Sequence, residues 1–206
     1  MEVPYCPLCG RNAGPHTSGP QGCLFCRNYP VKFDAAVRVG PYEEPLRNLI
    51  LRCKHDRRLE MIPFLGRLLA ERLVLAPWVG RVDVIVPVPM HWSRRMSRGF
   101  NQSQLLARQL RRAAGRQVAM KRLRRTRPTA SQRFLPAGQR RSNVHGVFAT
   151  GWWGADFREK GVLVVDDVMT SGSTIGECVR VVQEAGAREV FVAVVATADY
   201  DDAGTW

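Results

Sequence analysis

The sequence predicts an α/β fold, a parallel β-sheet flanked by helices, with a small cysteine-rich metal module at its N-terminal end. Three observations predict it. Residues 161–195 read as strand, turn, helix, strand, and both strands (GVLVV at 161–165, VFVAVV at 190–195) are continuous apolar runs. Such runs suit strands buried on both faces, and a strand–helix–strand unit gives parallel pairing under a covering helix. Residues 82–88 (VDVIVPV) form a third run of this kind, closed by Pro87 and Pro89. Ahead of all three lie two C-x-x-C pairs in a segment short of apolar residues.

Residues 1–33 are rich in Cys, Gly, Pro and Asn, lack helical periodicity and read as metal-tied turns. Cys6-Pro-Leu-Cys9 and Cys23-Leu-Phe-Cys26 are separated by thirteen residues. Each turn places two thiolates on one side of a cation, and two turns complete a tetrahedral four-sulfur site. Zinc is the default metal and iron the alternative; with no open position the role is structural. His16 stands outside the ligand set. Residues 34–206 are expected to form the α/β domain. Within it, 34–39 is a short strand, and 43–54 a helix with Leu46, Leu49, Ile50 and Cys53 at helical spacing. Residues 61–75 repeat that pattern through Leu65, Leu68, Leu69 and Leu73. A helix over 101–115 opens on Asn101 or Ser103 as cap. Leu105, Leu106, Gln109, Leu110 and Ala113 mark its apolar side, and Arg108, Arg111, Arg112 and Arg116 another. Residues 121–143 hold two prolines, few large apolar residues and no steady period, and read as a long exposed loop. The last helix, 174–185, buries Ile175, Cys178, Val179, Val182 and Ala185 and ends at Gly186. Cys53 and Cys178 thus fall on apolar helix faces as core residues.

The charge is unevenly spread. The chain carries a net charge of +13, has no Asp or Glu from Val84 to Ala155, and places fifteen Arg or Lys between His91 and His145. That stretch implies an anionic partner: phosphates of a small ligand, of nucleic acid, or both. Phe100 and Phe134 lie among these basics, an arrangement suited to single-stranded DNA over the 91–145 stretch. No run approaches the ~20 apolar residues of a membrane span. The start, Met1-Glu2-Val3-Pro4, has neither a basic nor an apolar leader region, so a cytoplasmic location is expected.

The chemistry concentrates at Val162-Leu-Val-Val-Asp-Asp-Val-Met-Thr-Ser-Gly-Ser-Thr174. A buried strand runs into Asp166 and Asp167, a turn of Thr170, Ser171, Gly172, Ser173 and Thr174 follows, and a helix begins. In open α/β sheets ligands bind beyond the carboxyl ends of strands. A helix N-terminus offers free N–H groups to an anion, the hydroxyls add donors, and glycine permits close approach. The turn is a phosphate cradle. The two carboxylates would repel phosphate and suit instead the hydroxyls of an adjoining sugar, directly or through a divalent metal. Neither a Walker pattern nor Gly-x-Ser-x-Gly is present, so neither a P-loop nor a serine nucleophile elbow explains the segment.

Residues 162–174 resemble the PRPP-binding signature of type I phosphoribosyltransferases. The chain as a whole resembles the ComF/GntX subgroup, through CPLC and CLFC, Pro87-Val-Pro89 followed by Arg94, Arg95 and Arg98-Gly-Phe-Asn-Gln102, Thr126-Arg-Pro-Thr-Ala-Ser-Gln132, and Arg141-Ser-Asn143. The resemblance implies a type I phosphoribosyltransferase-like sheet behind a four-cysteine zinc module. It implies that Asp166 and Asp167 hold the ribose, with Asp167 also stabilising a cationic ribose, and that Val168, Met169 and Thr170 to Thr174 line the 5′-phosphate site. It places pyrophosphate near Val88, Pro89 and Met90, with Lys54, Arg94, Arg95 and Arg98 as neutralising groups, and makes residues 121–143 a closing loop. The implied reaction is substitution at the anomeric carbon of PRPP, with Mg²⁺ and with pyrophosphate leaving. The alternative is a non-catalytic protein of DNA uptake and competence that binds single-stranded DNA.

Overall fold

A computed structural model describes residues 4–14, 19, 22–28, 30–55, 59–90, 96, 99–115, 117–127, 142–150 and 156–198. Its elements, in chain order, are helix α1 (Leu24–Asn28), strand β1 (Ala35–Pro41), helices α2 (Leu46–His55) and α3 (Met61–Val74), strand β2 (Val84–Pro87), helix α4 (Gln102–Ala114), strands β3 (Ala119–Met120), β4 (Leu123–Arg125), β5 (Phe148–Thr150) and β6 (Gly161–Met169), helix α5 (Ser173–Glu184) and strand β7 (Glu189–Thr197). Among the described residues no helix is long and apolar enough to cross a membrane.

The apolar runs form the middle of a five-stranded parallel sheet ordered β1-β7-β6-β2-β3. Their alternate residues face opposite ways, and each face is covered. Leu163 and Val165 of β6 and Phe191, Ala193 and Val195 of β7 pack with Ile50, Leu65, Leu69, Leu106 and Leu110 of α2, α3 and α4. Val162, Val164, Val190, Val192 and Val194 pack on the other face with Ile175, Cys178, Val179 and Val182 of α5. The crossover after β2 therefore leaves by one face and the crossover after β6 by the other. Since β2 and β6 are neighbours, their carboxyl ends border the point where the winding reverses, the place at which open α/β sheets bind ligands.

The residues of the cysteine module lie along the β1 edge of the sheet and reach the carboxyl end of β7. Pro7 O accepts from Ala36 N at 2.9 Å, and Gly10 O accepts from the Thr197 hydroxyl at 2.9 Å. Arg38 of β1, 1% exposed, donates to Thr197 Oγ1 and Asn12 Oδ1.

Several local expectations change. The module is not made of turns alone, since the second cysteine pair straddles the start of α1, with Cys23 just before it and Cys26 on it. In α4 the buried apolar positions are Leu106, Ala107 and Leu110, with Gln102 and Ser103 buried at its start, while Ala113 is exposed. The face is chosen by α3, whose Gly66 lets the side chain of Gln109 come close. The 121–143 segment is not all loop: β4 pairs antiparallel with β5, Arg125 opposite Phe148. Strand β6 does not stop at Val165 but runs to Met169, with Val168 paired to Ala196 and Met169 to Thr197.

Candidate functional site

The acidic pair sits within the last stretch of β6, its backbone still paired to β7. Asp166 Oδ1 accepts from the Ser103 hydroxyl at 2.7 Å and from the Asp167 backbone N–H at 2.9 Å. Burial, and next the neighbouring charge of Asp167, push the Asp166 carboxyl up to about 7; the two hydrogen bonds and Lys54 pull the other way. Asp167 Oδ2 lies 2.9 Å from Lys54 Nζ at the end of α2. Burial opposes the charge on Lys54, but Asp167 and then Asp166 outweigh it and hold that pKa above the ordinary lysine value.

Beyond Met169 the chain turns through Thr170, Ser171 and Gly172 into α5. Gly172 adopts φ +76° and forms the N-cap, a left-handed conformation in which a side chain would be strained. The Ser171 and Ser173 hydroxyls lie 2.9 Å apart, and Thr170 to Thr174 are all half-buried. The first turn of a twelve-residue helix thus starts beside the acidic pair, with the Ser173 N–H donating to Ser171 Oγ at 3.4 Å and four hydroxyl residues, Thr170, Ser171, Ser173 and Thr174, close by.

Across the crevice, Val88 follows β2 and still pairs to Val165 O at 2.9 Å. The Asn101 side chain accepts from Ser103 N at 3.1 Å, capping α4, and its amide donates to Val88 O at 3.1 Å. Val88, Pro89, the α4 N-terminus and the acidic pair are therefore one connected set. On the far side of α5, Glu177, 7% exposed, accepts from Gly146 N at 2.7 Å and from Arg180. This anchors the chain entering β5 to the helix that follows the 170–172 turn.

The four module thiols also converge. Cys6 and Cys26 Sγ lie 3.9 Å apart, Cys9 and Cys23 3.6 Å, and Cys23 and Cys26 3.8 Å, with all four within 4.8 Å of one another. None is in a disulfide. Burial first, with repulsion from the other cysteines, pushes Cys26 up to about 11, and burial raises Cys9 further. A bound cation would reverse that balance. The cluster can hold one metal ion.

Of the site residues expected from sequence, the structure pairs Lys54 with Asp167, sets Val88, Pro89 and 166–174 at the carboxyl ends of β2 and β6, and gathers Cys6, Cys9, Cys23 and Cys26. Arg94, Arg95, Arg98, Arg116, His16, Phe134 and residues 128–141 lie outside the described residues. Cys53 and Cys178 are core residues, 2% and 0% exposed. Two participants escape sequence reading. Ser103 reads as a cap, yet its hydroxyl serves Asp166. Arg11 belongs to none of the motifs, yet it is 6% exposed and reaches Thr170 O. Its position two residues after Cys9 is the signal available in sequence.

The raised carboxyl has a measurable consequence. In the fold Asp166 keeps its proton up to about pH 7, whereas an unfolded aspartate releases it near 3.8. Between those values the native state binds the extra proton, so stability falls as pH rises across that window. Asp166→Asn, which retains the Ser103 partner without the charge, is expected to melt about 5 °C above wild type at pH 8. The gap should close toward pH 4. A pH-independent difference in calorimetric scans would show that Asp166 carries no such penalty.

The phosphoribosyl transferase domain family matches residues 96–204. DNA utilization protein YhgH of Salmonella typhi is 36% identical over 198 residues, covering 93% of this chain and 83% of that protein. Competence protein F of Haemophilus influenzae is 32% identical over 194 residues, with the same shares of 93% and 83%. Among solved structures, the purine phosphoribosyltransferase from Pyrococcus horikoshii Ot3 aligns at a TM-score of 0.42 and 21% identity, over 66% of this chain and 72% of that one.

Proposed function

The chain belongs to the phosphoribosyl transferase domain family, in the branch that includes competence protein F, and from that premise we propose that its β2–β6 crevice binds PRPP with Mg²⁺ and transfers the phosphoribosyl group to a nucleophile, releasing pyrophosphate. The observation that carries this reading is the continuity of Asp166–Asp167 with a left-handed Gly172 turn at the N-terminus of α5. A sugar-hydroxyl acceptor pair and a phosphate donor turn are adjacent, as a ribose 5-phosphate requires.

In this reading the amides and hydroxyls of Thr170 to Thr174 hold the 5′-phosphate, and Val168 and Met169 form the strand end beneath it. Asp166 and Asp167 hold the ribose hydroxyls. Val88 and Pro89, fixed through Asn101, face the pyrophosphate, whose charge Arg94, Arg95 and Arg98 neutralise. Lys54, paired with Asp167 at 2.9 Å, adds its charge to those that neutralise the pyrophosphate. The oxygen-only donor set of that pair suits Mg²⁺, which would supply charge neutralisation for the departing pyrophosphate. The bond from the anomeric carbon to pyrophosphate breaks with its electron pair, the nucleophile forms the new bond, and Asp167 stabilises the cationic ribose between. For the cysteine cluster we assign zinc. A tetrahedron with Zn–S of about 2.3 Å has sulfur atoms about 3.8 Å apart, against 3.6 to 3.9 Å for three of the pairs. A reducing cytoplasm keeps such thiols ready for metal.

Calorimetric titration of PRPP with Mg²⁺ into the metal-loaded chain tests the reading. Saturable binding is expected, and Asp167→Asn, or the Asp166→Asn/Asp167→Asn pair, should weaken it beyond detection. Undiminished affinity in the double variant would sink the assigned roles. The exposed Arg108 and Arg112 of α4 and the competence and DNA-utilization names of the relatives favour a second reading, single-stranded DNA binding. Affinity for an oligonucleotide that falls steeply with salt, in a chain that ignores PRPP, would put that reading first.

A further inference from the structure

Arg11 belongs to the cysteine module, but its side chain works outside it. Nη1 donates to Ala198 O at 2.9 Å and Nη2 to Thr170 O at 2.7 Å. Those carbonyls sit at the ends of β7 and β6, already joined by Ala198 N donating to Met169 O at 2.9 Å. The guanidinium lies over the ring of Phe25, 3.9 Å from its centroid, and Phe25 is between Cys23 and Cys26 on α1. The Arg11 backbone is held by the other pair: Cys6 N donates to Arg11 O at 2.9 Å, and the Arg11 N–H reaches the Cys9 thiol. One cysteine pair fixes the backbone of Arg11 and the other fixes the plane of its side chain.

We infer that Arg11 is a positioning residue for the phosphate turn, through which the metal module sets the direction of the Ser171 amide and thereby the turn's affinity for an anion. The physical link is the planar trans peptide: its C=O and N–H point opposite ways. With Thr170 O held by Arg11, the Ser171 N–H is turned away from the module and kept there. A fork that binds two carbonyls at once resists rotation of that peptide in a way a single donor does not. Loss of the metal releases both cysteine pairs, hence Arg11, hence the peptide. The inference rests on the reading of 170–174 as a phosphate turn, and it adds that the turn is built jointly by α5 and the module.

The test compares wild type, Arg11→Gln and Arg11→Lys as metal-loaded full chains by hydrogen exchange, metal analysis and PRPP–Mg²⁺ titration. In Arg11→Gln, exchange at the 171–174 amides is expected to rise about tenfold and PRPP affinity to fall about tenfold. Metal content should stay at the wild-type level and exchange in β6 and β7 should not change. Arg11→Lys, with charge but one donor point, should fall between. It carries the comparison alone if Arg11→Gln does not fold. Exchange at 171–174 that matches wild type in a folded, metal-loaded variant overturns the inference, as does an equal rise in the strands, which would make Arg11 a general stabiliser. Failure of wild type to bind PRPP counts against the function proposed above, while the exchange comparison still decides the role of Arg11.

Discussion

Cys23→Ser is expected to empty the metal site and lower the melting temperature by about 10 °C or more. The module has little else to hold it. Its buried cluster consists of the four cysteines, with Leu8, Ala13, Phe25 and Val31 only partly buried around them. Three thiols and a hydroxyl bind the ion far more weakly, and without it burial drives Cys9 and Cys26 toward the neutral thiol. The damage should not stop at the module. Buried Arg38 would lose Asn12 as a partner, Ala36 N would lose Pro7 O, and a buried group stripped of its partner costs about 1–3 kcal/mol each. Metal content and scanning calorimetry on the full chain check this. A variant with full metal content, or with the wild-type melting temperature, would mean the cluster is dispensable to the fold.

The second large effect is expected at a residue that carries no chemistry. Gly161 opens β6, and a Cβ there would lie 1.8 Å from the backbone oxygen of Arg81. Backbone cannot yield as a flexible side chain does. The Gly161 N–H also donates to Asp83 Oδ2 at 2.8 Å, and Gly161 O accepts from Asp83 N at 2.9 Å, the bonds that start the β2–β6 pairing. Gly161→Ala must therefore part β2 from β6, and a loss above about 3 kcal/mol is expected in urea unfolding. Because the proposed ligand crevice lies at the other end of this strand pair, the folded fraction should bind PRPP more weakly as well. A loss under about 1 kcal/mol would show that the two strands have slack at their start.

The layered fold was legible because its evidence is local. Three apolar β-branched runs can be satisfied only inside a covered sheet, and the helices between them show their faces at three- and four-residue spacing. The cysteine cluster was legible in the same way, since a C-x-x-C turn brings its own thiols together. So was the ligand turn, where acids, hydroxyls and glycine succeed one another in nine residues. What sequence alone missed depends on partners far along the chain. Strand β4 lies in an Arg-rich segment whose polarity hides it, β5 is only three residues long, and each becomes a strand only against the other. Strand β6 continues past Asp166 because β7 offers bonds as far as Thr197, whatever the side chains prefer. The face of α4 was settled by α3, which buries Ala107 and leaves Ala113 in water.

The same holds inside the site. Ser103 and Asp166 are 63 residues apart, and Arg11 and Thr170 are 159 apart. The sequence by itself determined which chemical groups the chain would offer, since each motif is a short stretch with its own geometry. Only the tertiary structure decided which groups meet, because that follows from the strand order β1-β7-β6-β2-β3 and from the face by which each crossover leaves the sheet.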